Sequence, residues 1–203
     1  ADFQPKASVV TENYLYFTGS ATDGTNGKVY RVDKTTLAYS IVFESASLSV
    51  TAIDALDDNN VLIGLSNGTY YSSEVSGFFT IGSDISASAI SHIRMHDETN
   101  WLMAADAEIW VTNDAGITWI KTFTVNIDGT LTYGAWYDNL VGYIVHGSTI
   151  YRTIDSGTTW KRLYTNGTDE EALTMAINPY TPNMFMAAFT PSGTTSITIK
   201  GFV

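Results

Sequence analysis

The segment TIDSGTTW at residues 153–160 has a near-copy, TNDAGITW, at residues 112–119. The two align without a gap, and the position numbers of every matching pair differ by 41 (153 − 112 = 41). Self-similarity at a fixed spacing indicates a supersecondary unit that is repeated along the sequence. The identical pairs are Thr112 and Thr153, Asp114 and Asp155, Gly116 and Gly157, Thr118 and Thr159, and Trp119 and Trp160.

Two weaker copies extend the pattern towards the N-terminus. One lies near residues 72–79, where Glu74 stands at the acidic position, and the other lies near residues 31–38, where Asp33 does. The acidic positions are then 33, 74, 114 and 155, which are separated by steps of 41, 40 and 41. The sequence therefore predicts four copies of one unit, of which the last two are the most regular.

Each unit is predicted to be β-structure throughout. Short runs rich in β-branched, aromatic and other apolar residues, such as NVLIGLS at 60–66 and NWLMAAD at 100–106, alternate with Asn, Gly and Asp. No segment has the period of an amphipathic helix. Four short strands in every forty residues or so are typical of one blade of a β-propeller. We therefore expect an all-β fold, a β-propeller of four-stranded antiparallel blades.

The predicted propeller forms a single domain over residues 1–203 with five blades. Its last unit stops after three strand-like runs, and an open sheet edge is a template for unwanted pairing. We therefore expect the N-terminal segment to supply the missing outer strand and to close the ring; a segment of a larger propeller is the alternative. The predicted blades span approximately 6–45, 50–85, 89–126, 130–166, and 170–203 plus 1–5.

Both complete segments follow the pattern Ser/Thr-x-Asp-x-Gly-x-Thr-Trp. In this they resemble the Asp-box, or BNR repeat, of a family of β-propellers, and the weaker copies extend the resemblance over most of the chain. The resemblance implies that each box forms the hairpin turn between the third and fourth strands of a blade. Graded copies of a turn fit a structural role better than a catalytic one.

The chemistry of the box residues gives them the same structural role. Asp155 can accept hydrogen bonds from backbone N–H groups of its own turn. Gly157 supplies the positive φ that a tight hairpin requires, and Trp160 offers a large apolar face for packing between sheets. The same roles are expected one unit earlier for Asp114, Gly116 and Trp119, with Thr112, Thr118, Thr153 and Thr159 supporting the two turns.

Composition excludes several classes of function. The chain of 203 residues has a net charge of −11, so it would repel nucleic acid. It has no cysteine, hence no disulfide, thiolate metal site or cysteine nucleophile. It also lacks a run of 18 apolar residues, so membrane insertion is not expected. We predict no cofactor and no metal.

Glycoside hydrolysis deserves a test because the Asp-box resemblance includes sialidases. A sialidase resemblance would imply three arginines that converge on a carboxylate, whereas this chain has four arginines in all and only Arg94 is expected on an inner strand. A generic glycosidase needs two carboxylates about 5–10 Å apart. The candidates by charge stand mostly in segments of turn composition, and we interpret them as turns: Asp54, Asp57, Asp58, Asp97, Glu98 and Asp138.

His92, Arg94 and His96 alternate along one predicted inner strand and would share a face. They are expected to line the channel, with Met95 facing the core. A pair of metal-binding imidazoles is the alternative, which the small number of histidines, three in the chain, disfavours.

The sequence therefore favours a non-catalytic interaction or structural propeller over an enzyme. Expected partners are proteins in an assembly or surface glycans, and the expected location is extracellular or on a virion surface, as in a phage structural or attachment protein. A lectin-like, carbohydrate-binding propeller is the alternative, and a sialidase-like hydrolase is less favoured. These functional expectations rest on analogy, because a fold does not fix a function.

Overall fold

The computed structural model describes residues 3–73, 79–81, 85–125, 131–165, 170–181, 183–191 and 197–202. Their regular structure is β-strand with connecting turns, and no helix occurs among them. None of these residues therefore forms a helix able to cross a membrane. The all-β class expected from the sequence is confirmed.

The strands form four four-stranded sheets and one three-stranded sheet. Each sheet follows chain order, and every strand pair of described register is antiparallel. The first sheet contains β1 (Phe3–Val10), β2 (Tyr14–Ala21), β3 (Gly27–Asp33) and β4 (Tyr39–Ser45), and the second contains β5 (Val50–Ala55), β6 (Val61–Leu65), β7 (Tyr70–Ser73) and β8 (Phe79–Ile81). The third contains β9 (Ile90–Met95), β10 (Trp101–Ala105), β11 (Glu108–Thr112) and β12 (Ile120–Thr124), and the fourth contains β13 (Leu131–Trp136), β14 (Gly142–His146), β15 (Thr149–Thr153) and β16 (Lys161–Thr165). The fifth contains β17 (Glu170–Ile177), β18 (Phe185–Pro191) and β19 (Thr198–Phe202).

Burial changes in a regular way across each sheet. The second strands β6, β10 and β14 are buried at every position, which explains their continuous apolar sequences. The fourth strands β4, β12 and β16 are mostly exposed and carry mixed sequences. The second strand of each unit was therefore the easiest element to recognise in the sequence.

The chain divides into two compact units by its internal contacts. Unit 1 comprises residues 1–105 and 112–120, and unit 2 comprises residues 106–111 and 121–203. A core of unit 1 packs between the first and second sheets and includes Tyr16, Val29 and Ile63. A core of unit 2 packs between the fourth and fifth sheets and includes Tyr143 and Phe185.

The N-terminal segment differs from the prediction. Residues 3–5 were expected beside the fifth sheet, but they belong to β1 and pair with β2, with Phe3 opposite Ala21. A bulge between Pro5 and Ala7 lets the strand continue along its partner. The ring of Phe3 then packs edge-on against Tyr30, at 5.1 Å between centroids, which anchors this end of the strand. Within the described residues the fifth sheet has three strands, not the four expected.

Candidate binding site

The two repeated segments form the same turn in each unit. In both, a threonine hydroxyl hydrogen bonds to the aspartate Oδ1 and accepts the glycine N–H at 3.0 Å. The aspartate Oδ1 in turn accepts a backbone N–H from four residues ahead at 2.8 Å, from Thr118 in the first turn and from Thr159 in the second. Each turn connects the third and fourth strands of its sheet.

Two successive residues in each turn have positive φ. The glycines do so as expected, with φ of 83° at Gly116 and 87° at Gly157. The preceding Ala115 and Ser156 also have positive φ, at 57° and 58°, which the sequence pattern did not indicate. Non-glycine residues adopt this conformation at a steric cost, so the hydrogen bonds to the aspartate hold a strained backbone.

A second set of turns repeats at the same end of the sheets. Asp57, Asp97 and Asp138 follow the first strands of their sheets, and each carboxylate accepts the backbone N–H groups two and three residues ahead, at 2.6–2.9 Å. In the fifth sheet an amide replaces the carboxylate, because Asn178 Oδ1 accepts the N–H of Tyr180 at 2.8 Å. Positions 57, 97, 138 and 178 therefore repeat at the same interval as the first set of turns.

The two sets of turns are joined by hydrogen bonds. The Ala115 N–H donates to the Thr99 carbonyl at 3.0 Å, and the Ser156 N–H donates to the Leu140 carbonyl at 3.1 Å. Ser156 adds a hydroxyl bond to the Asn139 carbonyl at 2.6 Å. The carboxylates of the aspartates at this end of the sheets therefore accept hydrogen bonds that stabilise the turns.

The tryptophans of the repeated turns are half-buried and differ in their partners. Trp119 donates its indole N–H to the Tyr70 hydroxyl at 3.3 Å, and that hydroxyl donates to the Gly116 carbonyl at 2.9 Å. Trp160 donates directly to the Gly157 carbonyl at 3.0 Å, and that carbonyl also accepts the Thr122 hydroxyl at 2.9 Å. A residue from the preceding sheet therefore completes each turn.

The weaker copies are described only in part. Asp33 accepts the N–H groups of Thr35 and Thr36 at 2.9 and 2.8 Å, and the positive φ, 59°, falls on Leu37. This turn therefore keeps the acidic acceptor without the glycine. In the copy near 72–79, Glu74 and its neighbours up to residue 78 lie outside the described residues.

Asp54 differs from the other acidic candidates because it lies within β5, not in a turn. Its Oδ2 accepts the Met95 N–H at 2.8 Å and lies 3.8 Å from Arg94 Nη1. Burial raises the pKa of Asp54, opposed by the hydrogen bond from Met95 and by the Arg94 charge. The interpretation of Asp54 as a turn residue is therefore wrong: it joins the first strands of two neighbouring sheets.

The three predicted channel residues come from one short segment. His92 and Arg94 lie on β9 and are half-buried, whereas His96 directly follows the strand and is buried. Burial, with help from the charges of Arg94 and His96, lowers the pKa of His92 to about 4. The described part of the chain has no group of three His, Asp or Glu side chains arranged to hold a metal ion. Met95 is buried, as expected for the alternating face.

A recess between the fourth and fifth sheets brings together residues that are distant in sequence. It has a volume of about 290 Å³. One arginine and one amide face several aromatic and aliphatic side chains: the lining residues are Tyr143, Arg152, Leu163, Tyr164, Asn183, Phe185 and Phe202.

Arg152 is the charged group of this recess. Its guanidinium carbon lies 5.9 Å from the centroid of the Tyr143 ring, a cation–π distance. Its Nε is buried and has no hydrogen-bond acceptor among the residues that the structure describes. A buried donor without an acceptor is costly, and the rest of the guanidinium has the Tyr143 hydroxyl as a hydrogen-bond partner.

A second cation lies close to the recess. The Lys200 ammonium donates to the Tyr164 hydroxyl at 3.2 Å and lies 5.3 Å from the centre of the Phe189 ring. Together with Arg152 it gives this part of an otherwise acidic protein a local positive charge.

An apolar groove adjoins the recess and shares Phe185 and Phe202 with it. The groove has a volume of about 560 Å³ and lies at the β17–β18 turn. Tyr180 is 88% exposed and Met186 is 55% exposed. Among the residues that the structure describes, no charged one lines the groove: the lining is Ala176, Ile177, Asn178, Pro179, Tyr180, Met184, Phe185, Met186, Gly201 and Phe202.

Sequence reasoning missed this site. Arg152 was considered only for a sialidase triad, and the turn 178–184 attracted no interpretation. The signal that could have found it is the second set of turns. Aligning Asn178 with Asp57 places Pro179 opposite Asp58, so a neutral turn in the fifth sheet replaces an acidic one.

Comparison with known proteins identifies the fold. No family model and no curated protein matches the sequence. Among solved structures, YCF48 from Cyanidioschyzon merolae is 13% identical, with a TM-score of 0.68 over 98% of this chain and 66% of that protein. YCF48 bound to D1 peptide is 11% identical, with a TM-score of 0.66 over 100% of this chain and 71% of that one. An ancestral GH74 enzyme is 14% identical, with a TM-score of 0.76 over 98% of this chain and 29% of that enzyme.

The chain therefore spans about two thirds of the Cyanidioschyzon merolae protein and less than a third of the ancestral enzyme. At these identities the likeness shows the fold and nothing about activity. YCF48 and the GH74 enzymes are β-propellers, and their sheets superpose on nearly all of this chain. The chain thus shares the β-propeller fold that its repeat predicted.

Proposed function

We propose that the chain is a non-catalytic β-propeller module that binds an extended, apolar segment of a protein partner in the groove at the β17–β18 turn. The observation that carries the proposal is the groove itself, a concave, uncharged surface on a chain of net charge −11. An exposed apolar groove on a strongly charged protein favours contact with another macromolecule.

The groove chemistry favours a peptide over a sugar. Met184 and Met186 supply flexible, polarisable side chains of the kind that adapt to varied apolar partners. Tyr180 adds an exposed ring with a polar tip. Carbohydrate sites need several directed polar groups, and here Asn178 Oδ1 is already bound to the Tyr180 N–H. YCF48 offers a precedent on the same fold, since one of its structures contains a bound peptide.

The placement of the carboxylates supports a non-catalytic role. Asp57, Asp97 and Asp138 accept backbone N–H groups of their own turns, and Asp54 is bound to Met95 and Arg94. Paired acid catalysis needs one carboxyl group protonated and another free in the same cleft. No acidic residue is found among the described residues that line the recess and the groove.

Selection from a random dodecapeptide phage library against the immobilised protein tests the proposal. We expect enriched peptides rich in apolar residues, with affinity measured on the synthetic peptide. Met186→Glu should abolish that binding because it places a charge in the groove. Ile117→Glu, at a position 81% exposed in the first repeated turn, is the matched control and should leave binding unchanged.

Three outcomes would contradict the proposal. Peptides that bind Met186→Glu as well as the parent would place the site elsewhere. Binding to a glycan panel without any peptide enrichment would favour the lectin alternative. Concentration-dependent self-association lost in Met186→Glu would make a second copy of the protein the occupant. Membership of the Asp-box family and an extracellular or virion-surface location stay predictions from the sequence.

A further inference from the structure

We propose that the Arg152 recess is a carboxylate-binding subsite, which holds an acidic group of the same partner segment that occupies the groove. The inference deepens the proposed function and rests on it for its biological meaning. The observations that support it are independent of the groove, because they compare the tyrosine–arginine pairs of the first and fourth sheets.

The fourth sheet and the first sheet carry the same tyrosine–arginine pair. Tyr143 lies opposite Arg152 across β14 and β15, and Tyr16 lies opposite Arg31 across β2 and β3. Arg31 stacks over a neighbouring tyrosine, Tyr14, at 4.6 Å. Each pair also faces the first turn of the following sheet.

In unit 1 that turn brings a carboxylate. Asp58 follows β5, and its carboxylate accepts hydrogen bonds from the Thr11 hydroxyl, from the Asn13 N–H at 3.1 Å and from Asn13 Nδ2 at 2.5 Å. Its backbone carbonyl accepts the Tyr16 hydroxyl at 3.1 Å. The space beside this pair therefore contains an acidic residue of the protein itself.

In unit 2 the equivalent turn brings no charge. Pro179 stands where Asp58 stands, one residue after the aspartate or asparagine that caps the turn. The recess beside Tyr143 and Arg152 has Asn183 as its wall instead. The Tyr143 hydroxyl hydrogen bonds to the Arg152 guanidinium, but Arg152 Nε has no acceptor among the described residues, and a group of the partner can supply one.

The geometry suits a carboxylate. A guanidinium presents a planar set of donors that matches the two oxygens of a carboxylate. The aromatic walls, Tyr164, Phe185 and Phe202, exclude water from one side and leave about 290 Å³, room for a single amino-acid residue. The shared wall of Phe185 and Phe202 makes the recess continuous with the groove, so one segment can reach both.

The test uses small probes in matched pairs, with binding followed by NMR titration of the isotopically labelled protein. N-acetylphenylalanine and its amide represent the carboxyl terminus of a peptide with and without its charge. The α-methylamides of N-acetylaspartate and N-acetylasparagine represent a side-chain carboxylate in the same way. In at least one pair we expect the acid to bind roughly tenfold more tightly than its neutral partner, as for a charge-assisted hydrogen bond in a partly desolvated site.

Variants then assign the effect to the recess. Arg152→Gln should remove the preference for the acid, and Arg152→Lys should keep part of it, because it retains the charge without the planar donor set. Arg162→Gln, on the exposed strand β16, is the control and should behave as the parent. Asn183→Asp should block the acidic probe, because the new carboxylate lines the same recess as Arg152 and can take the place of the probe.

The outcomes separate the two proposals. Equal binding of acid and amide in both pairs, or an unchanged preference in a folded Arg152→Gln variant, would overturn the carboxylate subsite. Whichever pair shows the preference identifies the source of the acid as a peptide terminus or a side chain. If no apolar peptide binds the groove but the acid preference persists and depends on Arg152, the proposed function fails and the subsite stands.

Discussion

Units 1 and 2 each contain a repeated turn and a tyrosine–arginine pair, but the residues that surround these features differ between the units. The repeated turns have the same hydrogen bonds at nearly the same distances, but a tyrosine hydroxyl bridges the first and a direct indole bond closes the second. The tyrosine–arginine pairs have the same register, but Asp58 lies beside the first whereas a recess lies beside the second. The difference shows that Asp58 serves internal hydrogen bonds in unit 1, and it is the basis of the proposal that Arg152 binds a partner in unit 2.

The largest expected contrast between the units is in acid. Backbone and side-chain hydrogen bonds lower the pKa of six described aspartates in unit 1, and they bring Asp97 and Asp114 from 3.8 to about 2. In unit 2 burial opposes the change, but hydrogen bonds from Thr159 and Thr153 lower the pKa of Asp155. A lowered pKa in the folded state contributes stability above the unfolded value, and this is lost as the pH falls through the folded value.

Unit 1 should therefore lose its structure first between about pH 4 and pH 2, although Asp54, whose pKa is raised, opposes the trend. Fluorotryptophan labelling gives separate ¹⁹F signals for each unit. Trp101 and Trp119 report on unit 1, while Trp110, Trp136 and Trp160 report on unit 2. Coincident acid midpoints for both sets of signals would contradict the contrast.

The next largest effect is expected from Gly116→Ala in the first turn. At φ 83° the new methyl group is strained, and it would overlap the Tyr70 hydroxyl and lie 3.1 Å from the Trp101 ring. Strain and overlap together should cost roughly 3 kcal/mol of unfolding free energy, measured by urea denaturation. Gly147→Ala is the control for strain alone, because it has φ 53° and no atom within 4 Å of the added carbon. Equal losses from the two would remove the role of the Tyr70 contact.

Removal of the internal carboxylate should have a smaller effect. Asp58→Ala deletes the acceptor for Thr11 and Asn13 at a half-buried site. We expect a loss of about 1–2 kcal/mol in unfolding free energy. A cycle with Thr11→Val isolates the hydroxyl bond, and the double variant should lose less than the sum of the single ones. Strict additivity would show that this bond contributes nothing.

The smallest effect should be a gain. Asn183→Asp places a carboxylate near Arg152 and should raise the unfolding free energy by about 0.5–1 kcal/mol, because the position is exposed and the pair is partly screened. The gain should vanish in an Arg152→Gln background. If it persists there, the new acid acts on something other than Arg152.

The repeat could be predicted from the sequence because its turns require particular residue types. Asp155 and Gly157 stand out since few other residues can accept those backbone bonds or adopt that φ. The buried second strands were legible for a similar reason, since only apolar runs such as 61–65 can be covered on both faces. Local requirements of this kind make the same residue types recur at a fixed spacing in the sequence.

The candidate binding site has no such recurring residue pattern. Arg152 and Asn183 are far apart in the sequence and meet only because two sheets pack together. What distinguishes the recess is the lack of a charge at Pro179, which becomes visible only when the turns at 57 and 178 are aligned. The position of Asp54 was misjudged for the opposite reason: its sequence neighbours Asp57 and Asp58 belong to a turn, whereas its own side chain bonds to Met95 in the next sheet.

The bonds between the two sets of turns have a consequence for how such a protein grows in evolution. Because the Thr99 carbonyl binds the Ala115 N–H and the Leu140 carbonyl binds the Ser156 N–H, the third and fourth sheets each have an internal bond between their two turns at one end. A duplicated segment of one repeat length would bring that bond with it, so a new copy could fold before its neighbours had adapted. Gene duplication could therefore lengthen the protein in whole sheets, and mutation would remain free to remodel the opposite end.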